Sequence, residues 1–378
     1  MARRTVGVEE ELLLIDPSSG ALRPVAATVL RASTETGGQQ PRGKGPACDR
    51  IDVQHELYLE QIEVATPPCQ TIGEVETWLR RGRRLVGEAA RSAGAAAIAT
   101  ATPVLPPSGE TVTPHRRYQE IVEHYGEVAH ESLVCAMHVH VSVESQEEAV
   151  GVIDRIRPWL PVLLALSANS PYWRGVDTGY ASWRSQLWGR WPTSGPMELF
   201  GDPERYHAIA EQILDTGAAL DTGMLYFDAR LAVDYPTVEV RVADVCTEVE
   251  DAVLVAALVR ALVETAAREW NRGESPAEWR TDELRIAGWR AAKCGVTDRL
   301  VHPLDHRVAA VAEVLTSVAE HVGDALDESG DSHLVCSGLR RVLAGGNGAD
   351  RQRSAFKTGG DLVAVVHDLR RRTEASWS

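Results

Sequence analysis

The chain has 378 residues, 44% of them hydrophobic, which is enough to bury a sizeable core; its length alone would allow two or three domains. A formal net charge of −15 excludes nucleic acid and anionic membrane surfaces as main partners, so any anionic ligand must be met locally by arginines or bound cations. Six scattered cysteines (Cys48, Cys69, Cys135, Cys246, Cys294, Cys336) show no CxxC or zinc-like spacing and fit unpaired thiols in a reducing cytoplasm.

In chain order, "MARRTVGVEEE" has two arginines without an apolar stretch after them, so it does not read as a signal peptide. Alternating residues predict strands over 5–15, 57–65, 136–143 and 237–243. The Gly/Pro-rich stretch 35–48 reads as a mobile loop. Three hydroxyl residues followed three positions later by Glu (Thr71/Glu74, Ser145/Glu148, Thr247/Glu250) predict capping boxes. Helices are expected from Glu74 to Ala93, from Gln146 towards Ser167 with a break near Arg157 before Pro158 and Pro161, and from Glu248 to Trp270. The last is apolar nearly all round and should be buried; its apolar run is interrupted by Arg260 and is too short to span a bilayer. Further helices are expected near 306–326, 333–344 and 361–373, with Gly345 as a C-cap glycine. No repeat or long linker divides the chain, so we expect one α+β domain over 1–378: a mostly antiparallel sheet with helices on one face.

Side chains alternate faces along a strand. Glu9 with Glu11, Gln61 with Glu63, His138 with His140 and Ser142, and Glu239 with Arg241 each share a face, opposed by Val and other aliphatic residues. Solvent exposure explains any one polar face. A merely solvated face favours Thr, Lys and Ser, whereas all four strands here offer metal- or anion-binding groups. If the strands share one sheet, these groups converge. Carboxylates with imidazole suit Mg²⁺ or Mn²⁺, and a cation relieves their mutual repulsion. Glu9 and Glu11 are therefore expected metal ligands. Glu10 faces the aliphatic side and suggests a strand edge or bulge; the roles of Glu56 and Glu60 depend on an unseen bulge. The Trp- and Arg-rich segment 179–196 reads either as aromatic packing or as a substrate lid, with Arg184 clamping a carboxylate and Gln186 and Trp188 shaping the pocket. The stretch 345–353 is neither a Walker A loop nor a dinucleotide fingerprint; it is a helix end and turn, or a phosphate contact through Arg351 and Arg353.

Taken together, "GVEEELLLIDPSSG", "ELYLEQIEVATPPC", "MHVHVSV", "GYASWRSQLWGRWPTSGP", "VEVRVADVCTEVEDAVLVAALVRALV" and "GNGADRQR" resemble the carboxylate–amine ligase family, also called glutamate–cysteine ligase type 2, over about residues 5–370. The resemblance implies a glutamine-synthetase-like catalytic scaffold, in which a curved, mostly antiparallel sheet forms an open funnel with helices packed outside. It implies ATP-dependent amide formation through an acyl phosphate, with weak glutamate–cysteine ligase activity in many members. Residue by residue, it matches Glu9 and Glu11 to the paired metal glutamates of the first strand, Glu63 and also Glu56 to acidic, metal-binding positions of the second, His138 to a metal- or nucleotide-contacting histidine, and Glu239, a further expected metal ligand, with Arg241 to the Glu-x-Arg of a later strand. Arg241 matches the nucleotide-side arginine, and Arg184 an arginine holding the acid substrate. His140 is placed with the substrate. Ala136 and Ser142 stand where flanking glycines are expected, which implies a narrowed pocket. The expected ligands are ATP, Mg²⁺ (or Mn²⁺) and small-molecule acids and amines, in a cytoplasmic protein, with a homodimer suggested by symmetry statistics. The rival readings are a metal-dependent amide hydrolase and a non-catalytic nucleotide- or amino-acid-binding regulator.

Overall fold

The computed structural model describes residues 4–35, 50–106, 109 and 111–377. The predicted loop at 35–48 and Cys48 lie almost wholly outside these residues. One seven-stranded sheet organises the chain: β1 (Val6–Ile15), β2 (Asp52–His55), β3 (Gln61–Ala65), β4 (Ala96–Ile98), β5 (Ala136–Ser142), β6 (Ala229–Leu231) and β7 (Thr237–Asp244). Its order is β2–β3–β1–β5–β7–β6, with β4 beside the C-terminal half of β1, and every pairing is antiparallel. The sheet does not close: β2 and β6 are its edges. The predicted strand 57–65 begins only at Gln61, because residues 56–60 turn back from β2 into β3.

The aliphatic face is the core. Val6, Val8, Leu12, Ile62, Met137, Val139, Val141, Val238 and Val240 are all buried. The Val249–Asn271 helix packs on β1 and β5, flanked by the helices Ile72–Ser92 and Gln146–Ile156. Burying such a Val or Leu side chain is worth about 1.5–3 kcal/mol, so this face sets the register. The Pro-induced break falls where predicted: an α-helix ends at Ile156, a 3₁₀ turn spans Arg157–Trp159, and a second helix covers Leu160–Ser167.

One of the three predicted capping boxes forms, one is an N-cap without the reciprocal bond, and one does not form. Thr71 Oγ1 accepts the Glu74 N–H while the Glu74 carboxylate accepts the Thr71 N–H. Ser145 accepts the Glu148 N–H. Thr247 caps nothing; its hydroxyl donates to Ala99 O, and the helix begins after Glu248. The expected 306–326 helix starts only at Val311, after a short hairpin of Arg299–Val301 with Val308–Ala310, and a second helix covers Gly323–Ser329.

Glu10 corrects the strand-edge reading. It sits in a central strand, wholly buried on the aliphatic face, and Arg83 meets it with two bonds of 2.8 and 2.5 Å. Arg83 is wholly buried too, and its remaining N–H groups donate to Cys246 O and Thr247 O at 2.6 Å each. The buried charge is thus neutralised and hydrogen-bonded from the helix above it.

The glycine-rich stretch near the C-terminus is also structural. Asn347 caps a Gly348–Gly359 helix, and Gly346, in the left-handed region at φ 73°, rather than Gly345, ends the preceding helix. Asn347 Nδ2 donates to Ala165 O. A methyl group on Gly348 would lie 2.2 Å from Oδ1 of Asn169. That side chain is wholly buried and donates to Ala99 O, Val245 O and Thr247 Oγ1. Gly348→Ala is therefore expected to destabilise the protein by about 1–3 kcal/mol through overpacking, despite alanine's better helix propensity. Urea unfolding of the variant checks this.

Candidate active site

Cross-strand register assembles the opposite face of the sheet. Glu11 lies across from Glu63, Glu9 from His138, and His140 from Glu239, which in turn lies across from Arg230. The pairing shifts between Met137 and Val139, so that Arg241 and Val242 of β7 oppose the single residue His138 of β5. Such a bulge turns its strand and re-aims side chains, and it brings Asp244 across from Ala136.

The acidic groups gather as expected. Three sets each hold ligand atoms within 4.8 Å of one another: Glu9, Glu63 and His138; Glu9, His140 and Glu239; Glu11, Glu56 and Glu63. All six sequence-predicted metal ligands fall in these sets. His140, which the sequence reading placed with the substrate, joins them.

Electrostatics divides the carboxylates. Burial pushes Glu11 up to about 8, with repulsion from Glu56 adding to it and the Ala136 N–H at 2.7 Å opposing it. Burial raises Glu63 well above the usual range, reinforced by Glu9, Glu56 and Glu11. Glu56 is raised as well, chiefly by burial. Burial opposes ionisation of Glu9 too, but His140 and His138 outweigh it and hold Glu9 well below the ordinary range. Glu9 lies 3.2 Å from His138 Nδ1 and 3.4 Å from His140 Nε2. His138 is lowered to about 4 by burial and by Arg241, which favours the neutral imidazole, the form that ligates a metal. A divalent cation would relieve the repulsion among three carboxylates that resist ionising together, and an oxygen-rich set with imidazole fits Mg²⁺ or Mn²⁺.

Glu239 is different. Arg230 Nε meets it at 2.7 Å and Arg241 also bonds to it; against the burial penalty, Arg241 and Arg230 hold it ionised. Arg230 was missed in the sequence because "ARL" is too short to announce a strand. The Arg241 Nε has no hydrogen-bond partner among the described residues.

The remaining predicted residues separate into two groups. Arg184 starts a short Arg184–Trp188 helix and is buried; it donates to Arg241 O at 3.1 Å and Val242 O at 3.3 Å, bracing the bulge, and its Nε is unpartnered. Its guanidinium lies 5.9 Å from the Trp188 ring, Trp188 packs on Tyr226 at 4.6 Å, and the Arg241 guanidinium lies 5.8 Å from the Tyr226 ring. Arg184 and Trp188 therefore adjoin the site. The Gln186 side chain donates to Ser185 Oγ. Arg351 and Arg353 are corrected as site residues. Arg351 pairs with Glu248 and Asp251 beside the long helix, and Arg353 with Asp177, because both sit on the Gly348–Gly359 helix rather than on the sheet. The cysteines described are unpaired, and burial pushes the Cys135 and Cys246 thiols well up, which makes them poor nucleophiles.

An open antiparallel sheet, carboxylates and imidazoles on one face, and guanidinium groups beside them define the class as an ATP-dependent carbon–nitrogen ligase. Over the whole of this chain and 90% of its own, the glutamate–cysteine ligase of Francisella tularensis, solved in complex with AMP, has the same fold (TM-score 0.70, 12% identity). A bifunctional glutathione synthetase from Pasteurella multocida shares it over the whole of this chain and 52% of its own (TM-score 0.67, 15% identity). The family model described as glutamate-cysteine ligase family 2 matches residues 5–368, and the chain belongs to that family. Proteins provisionally named glutamate–cysteine ligase 2-1 in a Nocardioides species and glutamate–cysteine ligase 2 in Streptomyces coelicolor are 49% and 48% identical; each alignment covers 99% of this chain, and they cover 97% and 100% of those proteins.

Proposed function

We propose that residues 1–378 form one catalytic domain that joins a small carboxylic acid to an amine through an acyl phosphate, with glutamate and cysteine as the family's default pair and a cytoplasmic setting. The observation that supports this most is the convergence of Glu9 and Glu11 from β1, Glu56 from the turn after β2, Glu63 from β3, His138 from β5 and Glu239 from β7 beside Arg241. These six side chains would hold Mg²⁺ or Mn²⁺. Bound there, the cation supplies positive charge against the ATP phosphates. Arg241 stabilises the negative charge of the transferring phosphoryl group, with its free Nε as the available donor. Arg184 and Trp188 wall the acid subsite next to it. The substrate carboxylate oxygen attacks the γ-phosphorus as the bond to ADP breaks; the amine nitrogen then attacks the acyl carbon as inorganic phosphate leaves. Positioning and charge supply the rate acceleration, without a protein nucleophile. Among the described residues no helix is long and apolar enough to cross a membrane.

The test is release of ADP and phosphate across a panel of acids and amines with Mg²⁺. Release that needs an acid, and product amide that needs both substrates, is the expected result. Metal-dependent hydrolysis of simple amides without ATP would replace this reading with a hydrolase, and ATP binding without turnover would replace it with a regulator.

A further inference from the structure

We propose that Asp228 is the proton acceptor for the attacking amine, a role that rests on the ligase reading above. Asp228 immediately precedes β6, and the Arg241 N–H donates to its backbone carbonyl at 3.0 Å. That bond extends the β6–β7 pairing by one residue, so Asp228 lies across from Arg241, on the face that Arg230 shares with Glu239. Tyr226, two residues earlier, packs under Arg241 and against Trp188, which also lies beside Arg184. Asp228 thus lies across from Arg241 and within electrostatic reach of Arg184, on the acid-subsite side rather than in the metal sets, none of which includes it.

The other carboxylates on this face are engaged. Glu9 faces two imidazoles, Glu11 takes Gln61 Nε2 and Ala136 N, and Glu56 and Glu63 share a hydrogen bond. Glu239 holds two arginines, and Asp244 takes Asn169 N, Ser170 Oγ and Ser182 Oγ. The Asp228 carboxylate is half-buried and has no hydrogen-bond partner among the described residues. Burial, partly offset by Arg184, raises it to about 7, which suits a group that must be ionised near neutrality yet basic enough to take a proton. In the step itself the amine lone pair forms the C–N bond, the acyl C–O bond breaks, phosphate leaves with that electron pair, and the nitrogen proton passes to Asp228 Oδ.

The experiment uses the full chain, with an acid and an alkylamine that the unsubstituted protein joins. In Asp228→Asn and Asp228→Ala, amide formation is expected to fall about 10²-fold in kcat. Hydroxylamine, which attacks acyl phosphates unaided, should still give hydroxamate at a near-normal rate, and added formate should restore amide formation in Asp228→Ala. Equal losses with both acceptors, an unchanged kcat, or a raised amine KM with normal kcat would overturn the base role, as would failure of formate to rescue. An unsubstituted chain that releases no ADP with any acid would instead overturn the ligase reading, and this inference with it.

Discussion

Glu239→Gln is expected to lower turnover by about 10²–10³-fold, the scale seen when one preorganised electrostatic partner is lost. Glu239 is the point where two parts of the site meet. It shares a ligand set with Glu9 and His140, and it also fixes Arg230 and Arg241. The amide keeps an acceptor for one guanidinium but drops the charge that orients the other. His138→Ala should act on the neighbouring set instead, removing an imidazole from Glu9 and Glu63 and raising the Mg²⁺ concentration needed for turnover. Steady-state ADP release and a Mg²⁺ titration distinguish the two, with circular dichroism confirming that both variants are folded. Unchanged rates in both would remove these residues from the reaction.

The second large effect is on folding. Arg83→Met leaves the Glu10 carboxylate wholly buried without its counter-charge, and a loss of about 3–5 kcal/mol is expected. The paired change Glu10→Leu with Arg83→Met should recover most of it, since apolar side chains of similar volume suit the aliphatic face. Denaturant unfolding of the two single variants and the double gives the coupling directly. A double variant as unstable as Arg83→Met alone would show that Arg83's bonds to Cys246 O and Thr247 O, rather than the ion pair, hold this junction.

The Glu10–Arg83 pair also shows where sequence reading stops. Period-two alternation put Glu10 on the apolar side, and helical spacing places Arg83 on the buried stripe of its own helix with Leu79 and Val86. Glu10 looked anomalous alone, and nothing local linked it to Arg83. Only the packing of that helix over β1 shows that each neutralises the other.

The polar faces of the β1, β3, β5 and β7 strands were legible from the sequence, because burying one face of a strand forces the other to carry whatever chemistry the chain holds. For the same reason Glu9, Glu11, Glu63, His138, Glu239 and Arg241 could be picked out before any contact was known, and the Pro-broken helix could be placed. What alternation cannot encode is which strands become neighbours and in what register, since those are set by burial and bulges between distant segments. Tertiary structure alone brought Arg230 to Glu239, moved His140 into a ligand set, turned Arg184 into a brace for the bulge, left Asp228 unpartnered beside Arg241, and carried Arg351 and Arg353 away on a helix of their own.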